Sequence, residues 1–173
     1  MRRILLSCAC AAVLLLPAAA SARAPGHAKP GFLVVRKAVG DGGVNGPPVA
    51  TVVVQGFVLG RISQEARVDV YQLPTAAGQG APQAAGADVS KRSVRWHGFT
   101  GTEYRGSGFR FRAMGGFYRI VVRGAGVYLF AGGRGNVTLQ GSSVYRHADG
   151  TFSLNGRAFQ SLPAKSVKRR MGG

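Results

Sequence analysis

The stretch Phe109-Arg110-Phe111-Arg112-Ala113-Met114-Gly115-Gly116-Phe117-Tyr118-Arg119-Ile120-Val121-Val122-Arg123 carries the information that decides the fold. Side chains alternate between the two faces of a strand. Phe109, Phe111 and Ala113 therefore share one face, and Arg110 and Arg112 share the other. Beyond the glycine pair, Tyr118, Ile120 and Val122 form an apolar set opposed by Arg119, Val121 and Arg123. Two amphipathic runs separated by a glycine-containing segment predict an antiparallel hairpin, with its turn within residues 113–116.

Outward from this stretch, residues 91–162 contain no proline. A sheet interior needs that, because proline removes a ladder donor. Further β-type runs are expected at roughly 92–99, 103–113, 117–123, 126–131, 135–141, 143–147 and 151–155, with Asp149-Gly150 as a two-residue hairpin turn. On the N-terminal side, Phe32 to Val39 and Arg67 to Gln72 read as strands, and Val49 to Ile62 as one bent strand or two short ones, with Gly56 as the bulge. No sustained helical period with caps occurs, so little or no helix is expected after the N-terminal segment. Short strands at about ten-residue spacing suggest an all-β domain, an antiparallel β-sandwich or small β-barrel. Recurring Gly-x-Gly pairs (Gly106/Gly108, Gly124/Gly126, Gly133/Gly135) make a β-solenoid the alternative, although no fixed repeat period accompanies them. The expected organisation is a leader at 23–31, a single domain at 32–162 with a mobile Ala/Gly/Pro-rich loop at 73–90, and a basic disordered tail at 163–173.

The N-terminus has the grammar of a secretory signal peptide. Met1-Arg2-Arg3 precedes an apolar run from Ile4 to Leu16, and Pro17 leads into Ala18 to Ala22. Ala20-Ser21-Ala22 places small residues at both recognition positions, which puts the junction after Ala22 and residues 1–22 in the signal peptide. Both cysteines, Cys8 and Cys10, would leave with it. A secreted or extracytoplasmic domain without thiols must be stabilised by packing, because it has no disulfide framework. No transmembrane segment is expected in the mature chain, since no later run reaches the ~20 apolar residues a spanning helix requires.

Arg2 and Arg3 would also leave, taking the 23 basic residues to 21 against 6 acidic, a net charge of about +15. Such a field attracts anionic partners: acidic polysaccharide, teichoic-type polymer or a membrane surface. Arginine dominates the basic set and is the better bidentate partner for phosphate and carboxylate, although GC-rich coding also favours arginine. In the expected hairpin, Arg110 or Arg112 lies across from Arg119, with Arg123 on the same side. Tyr128 and Phe130 then point outward beside them if Val127 and Leu129 continue the apolar row. Like charges directly opposite disfavour a sheet by a few tenths to roughly 1 kcal/mol. A stack of them suggests a counter-anion, so Arg110, Arg112, Arg119, Arg123, Tyr128 and Phe130 are the candidate polymer-binding residues.

Signals for specific chemistry are sparse. Arg105 to Phe111 echoes an RNA-binding strand motif, but Ser107 and Arg110 break it, so no specific nucleic acid is implied. The histidines His27, His97 and His147 have no metal-ligand spacing, and no cofactor motif is present. His97 and Glu103, across an expected turn at Thr100-Gly101-Thr102, form the one acid/base pair that would support a hydrolase-like secreted enzyme. The reading that fits best is a non-catalytic extracytoplasmic domain, structural or polymer-binding, with a plain scaffold or surface component as the third class.

Four segments carry a resemblance: Ala50 to Arg61 (ATVVVQGFVLGR), Phe109 to Ile120 (FRFRAMGGFYRI), Gly135 to Gly141 (GNVTLQG) and Asp149 to Gly156 (DGTFSLNG). Together they resemble a group of small secreted actinobacterial all-β proteins of unknown function, over roughly residues 49–162. The resemblance implies an exported single β domain and brings no activity with it.

Intact-mass measurement of secreted material should therefore find a chain beginning at Arg23. A mature form retaining Met1, or lipid on Cys8, would overturn the export reading.

Overall fold

A computed structural model of the protein describes residues 29–74, 81–143 and 149–173. The expected signal peptide with its Ala22 junction, most of the leader, the centre of the 73–90 segment and most of the strand expected at 143–147 lie outside the described residues. Strands dominate: β1 (Gly31–Ala38), β2 (Ala50–Ile62), β3 (Ala66–Leu73), β4 (Gln83–Ala85), β5 (Ser90–Trp96), β6 (Phe99–Gly106), β7 (Phe109–Gly124), β8 (Val127–Leu139), β9 (Thr151–Leu154), β10 (Gln160–Ser161) and β11 (Val167–Met171). One turn of 3-10 helix at Gly43–Asn45 interrupts the β1–β2 connection, and the described residues contain no α-helix. All pairings are antiparallel, in the order β10-β9-β1-β8-β2-β7-β3-β6-β5, with β11 added to β8 and β4 to β7. The sheet is not closed, and the fold is all-β and sandwich-like.

Three long strands, β2, β7 and β8, form the spine. The hairpin expected within 113–116 does not exist, because Phe109–Gly124 is one continuous strand paired with β2 along its length. What looked like a turn is a β-bulge. The register runs from Gly56↔Gly116 to Val58↔Ala113, so Phe57 faces both Met114 and Gly115. Gly115 takes the left-handed conformation (φ 67°) that such a bulge demands. The extra residue has a clear consequence. Phe109, Phe111 and Ala113 point inward before it, and Tyr118, Ile120 and Val122 point inward after it, all buried. Without the bulge, the second apolar set would face solvent, because a one-residue slip exchanges the two faces.

The same joining occurs next door. The strands expected at 126–131 and 135–141 are the single strand β8. Where β8 crosses β2, the backbones approach closely at Gly56 and Gly133. A Cβ on Gly56 would meet the Gly132 carbonyl oxygen, and one on Gly133 the Gln55 carbonyl oxygen, both at 2.1 Å. Both residues also hold positive φ, 154° and 138°. β8, 13 residues long, is paired along its other edge by two shorter strands. Its first half pairs with β1 and its second half with β11. The expected disordered tail is corrected accordingly: Val167–Met171 is a strand, and Met171 is buried. The expected loop at 73–90 is corrected in part, since Gln83–Ala85 pairs with Arg110–Arg112 of β7 and Tyr104 Oη donates to the Pro82 carbonyl.

Inward side chains from both ends of the long strands merge into one core, in which Tyr118, Phe109, Leu33, Ile62 and Ile120 are fully buried. The Tyr118 hydroxyl donates to the Met114 carbonyl at 2.6 Å, satisfying a main-chain acceptor within the bulge.

Two substitutions test this account by urea denaturation. Tyr118→Phe should lower stability by about 1 kcal/mol with an unchanged m-value, the cost of losing the hydroxyl's hydrogen bonds. Gly56→Ala should cost more, about 3 kcal/mol, from positive φ and overpacking combined.

Candidate anion-binding surfaces

Because β2, β7 and β8 pass through both halves of the fold, the arginines predicted to share one surface are divided between two. Arg119 and Arg123 lie on the outer face of the β3–β6 half. Arg110, Arg112, Tyr128 and Phe130 lie on the outer face of the other half, across the bulge.

On the β3–β6 half, like charges do sit opposite one another, with Arg67 across from both Arg105 and Arg123. Their counter-anions belong to the protein itself. Asp69 and Glu103 are cross-strand neighbours, each 3% exposed as a side chain. Arg67 Nε bridges them, at 2.9 Å from Asp69 Oδ1 and 2.6 Å from Glu103 Oε2. Arg123 Nη1 holds Asp69 Oδ2 at 2.7 Å, and Arg92 Nε holds Glu103 Oε1 at 2.6 Å. The hydrogen bond Arg67 donates to Asp69, aided by the charges of Asp69 and Glu103, keeps the Arg67 guanidinium above its ordinary pKa. This network was not legible beforehand. Arg67, Asp69 and Tyr71 share a strand face, but only the β3–β6 register brings Glu103 opposite Asp69.

Arg123 is thus neutralised internally, and Arg119 behaves differently. Its guanidinium lies 4.2 Å from the Trp96 ring centre and 5.6 Å from that of Tyr71. Burial pulls its pKa below the ordinary arginine value. Gly101 lies beneath the Tyr71 ring, where a Cβ would come within 2.5 Å of it.

His97 and Glu103 are not brought together. The β5–β6 turn is His97-Gly98, both at positive φ (45° and 82°), and not Thr100-Gly101-Thr102. His97 therefore caps the hairpin beside Trp96, at 4.8 Å between ring centres. Glu103 lies four residues beyond the Trp96↔Phe99 pair, ~13 Å along the strand. Each oxygen of Glu103 accepts from an arginine, which leaves none facing a substrate. Among the described residues no group of three His, Cys, Asp or Glu could hold a metal ion.

The other half gathers what the sequence suggested and adds to it. Arg110 is directly opposite Arg61, which is opposite Tyr128. One row along, Arg112 faces Leu59, which faces Phe130. Phe130 stacks on Phe32 (6.1 Å, 7° between planes) and meets Phe57 edge-on (5.3 Å). Phe32, Leu59 and Phe130 are exposed. A shallow groove of about 380 Å³ follows these residues, bounded by Arg36, Arg61, Arg110, Tyr128 and Phe130. A second depression, about 580 Å³, continues it past Leu59 and Arg110 to Arg112 and Gln83 on β4. From β1 to β4 the pair crosses four inter-strand steps, ~19 Å. Among the described residues no carboxylate lies within ion-pair distance of Arg61, Arg110 or Arg112, although Arg112 donates to the Gln83 side-chain oxygen. Arg61 was singled out by neither spacing nor motif; the β2–β7 register brings it opposite Arg110.

No protein-family model matches the chain, and neither the curated proteins nor the solved structures contain a match to it.

Removing a buried carboxylate from the network should show its structural weight. Asp69→Ala leaves Arg67 and Arg123 facing one another, and those side chains are about a quarter exposed. The expected loss is about 2–3 kcal/mol in chemical denaturation, below the ~3–5 kcal/mol of a fully buried broken pair because water reaches both guanidiniums. A change under ~0.5 kcal/mol would mean the network contributes little.

Proposed function

We propose that this protein is an exported, non-catalytic domain that binds anionic envelope polymers, acidic polysaccharide or teichoic-type chains, along the groove bounded by Arg61 and Arg110. One observation carries this reading. Arg61 and Arg110 are directly opposite on adjacent strands, without a carboxylate partner among the described residues, beside the half-buried ring of Tyr128 and the exposed ring of Phe130. Elsewhere on the sheet, the same juxtaposition of arginines is relieved by buried carboxylates. Here the relief must come from outside.

The geometry suits an extended oxyanion polymer. Guanidiniums offer planar pairs of donors to carboxylate or phosphate. Aromatic faces supply apolar contact to the non-ionic parts of a repeating unit. The groove crosses the strands, so an extended chain can lie along it. A net charge of +17 on the full chain brings polyanions to the surface from a distance, within the ~8 Å screening length of physiological salt.

Binding to immobilised polygalacturonate and to a glycerol-phosphate teichoic polymer, measured over a salt series, tests the reading. The doubly substituted Arg61→Gln/Arg110→Gln should weaken binding at least fivefold and lower the log–log salt slope by roughly 1–2. Its stability should be unchanged or higher by a few tenths of a kcal/mol, because a like-charge pair is removed. Arg157→Gln with Lys165→Gln removes equal charge outside the groove. An equal loss in that control would show that net charge, and not the groove, attracts the polymer.

A further inference from the structure

We propose that the molecule is divalent: a second oxyanion-binding surface lies on the outer face of the other half, so that one domain cross-links two polymer chains. This rests on the polymer-binding reading above and adds a second site to it. The register sets out the second surface directly. Arg119 of β7 faces Val53 of β2, which faces Asn136 of β8, which faces Arg170 of β11. One row along, Phe117 faces Gln55, which faces Arg134. Gln55, Arg134, Asn136 and Arg170 surround a depression of about 520 Å³ floored by Val53 and Phe117.

Two cations and two amides thus converge on one concavity, whose lining also includes Gly172 and Gly173. Neither Arg134 nor Arg170 has a carboxylate within ion-pair distance among the described residues. Lys168 continues the positive row opposite Thr138. Arg119, leaning on Trp96, extends it in the other direction, three inter-strand steps from Arg170, ~14 Å. Guanidinium with side-chain amide is a donor-rich combination suited to carboxylate or phosphate oxygens with neighbouring hydroxyls.

The two surfaces lie on either side of the bend at Gly56 and Gly133 and face different directions. Side chains facing inward from both halves, Val58, Phe111 and Leu129 from one and Val52, Ile120 and Val137 from the other, belong to a single core. The outer faces of two layers that share a core point away from each other. A chain seated on Arg61 and Arg110 is therefore on the opposite side of the molecule from one seated on Arg134 and Arg170. Rigid presentation of two sites favours bridging between chains over wrapping by one.

The test is a sandwich capture. Protein is loaded on immobilised polygalacturonate, washed, and offered soluble fluorescent polygalacturonate; a parallel arm uses polyphosphate in both positions, so that carboxylate and phosphate recognition are read separately. The native protein should capture the second polymer. Arg61→Gln/Arg110→Gln and Arg134→Gln/Arg170→Gln should each still load on the first polymer and lose at least tenfold in capture of the second. Trp96 is the single tryptophan of the chain and lies on the second surface beneath Arg119. Its emission should respond to polymer in the native protein and in Arg61→Gln/Arg110→Gln, and lose that response in Arg134→Gln/Arg170→Gln. Unchanged bridging by Arg134→Gln/Arg170→Gln, or complete loss of loading by Arg61→Gln/Arg110→Gln, would overturn the second site while leaving the groove reading intact. Failure of the native protein to load at all would overturn both.

Discussion

The close approach of two backbones at Gly56 and Gly133, with the bulge at Met114 and Gly115 alongside, is the constraint on which the rest of the structure depends. At that crossing no side chain fits, because each would-be Cβ falls 2.1 Å from a carbonyl oxygen of the neighbouring strand. Through this crossing the β2–β8 register is continuous, while the β2–β7 ladder takes up one bulge. A twisted sheet that bends in this way brings its two ends face to face and encloses one core from a single set of strands. Tyr118 then ties the bulge to that core through its hydroxyl, so backbone geometry and packing support each other.

Charge follows from the same bend. The chain is strongly basic and has only six carboxylates, and the two that are most buried among those paired with arginine, Asp69 and Glu103, stand together on one half. There they neutralise Arg67, Arg92 and Arg123 in a network that is internally satisfied. Two carboxylates directly opposite would repel, so the arginines are as necessary to them as they are to the arginines. With those two carboxylates committed there, no carboxylate among the described residues lies within ion-pair distance of Arg61, Arg110, Arg134 or Arg170. Arg61, Arg110, Arg134 and Arg170 are on the surface, and their surroundings supply aromatic rings or amides in place of acids.

A division of this kind separates arginines paired inside the protein from arginines facing solvent. Guanidiniums locked to buried carboxylates have their donors committed and resist exchange with solvent anions. Guanidiniums beside Tyr128 and Phe130, or beside Gln55 and Asn136, keep donors directed outward. Arg119 stands between these two conditions, held by ring faces and not by an acid. His97 and Glu103 do not form an acid/base pair: His97 belongs to a turn, and Glu103 to the arginine network.

The alternation of Phe109 to Arg123 and the proline-free run from Lys91 to Leu162 were enough to determine an all-β, antiparallel domain, because strand periodicity is a local property. Composition likewise determined a basic, arginine-rich surface. Which glycines turn the chain and which let it continue was decided only in three dimensions. Gly115-Gly116 is compatible with a hairpin turn or a bulge, and the choice fell to the bulge because β2 runs alongside for the whole length. His97-Gly98 took the turn that Thr100-Gly101-Thr102 seemed to offer, and Gly101 instead makes room for Tyr71. The basic segment 167–171 became a strand because the second half of β8 had an open edge to pair. Register also distributed the arginines, placing Arg110 against Arg61 and Arg123 against Arg67 and Asp69. Local sequence fixes which face of a strand a side chain occupies; which charges meet across strands depends on pairings between residues far apart in the chain, and only the folded sheet specifies those.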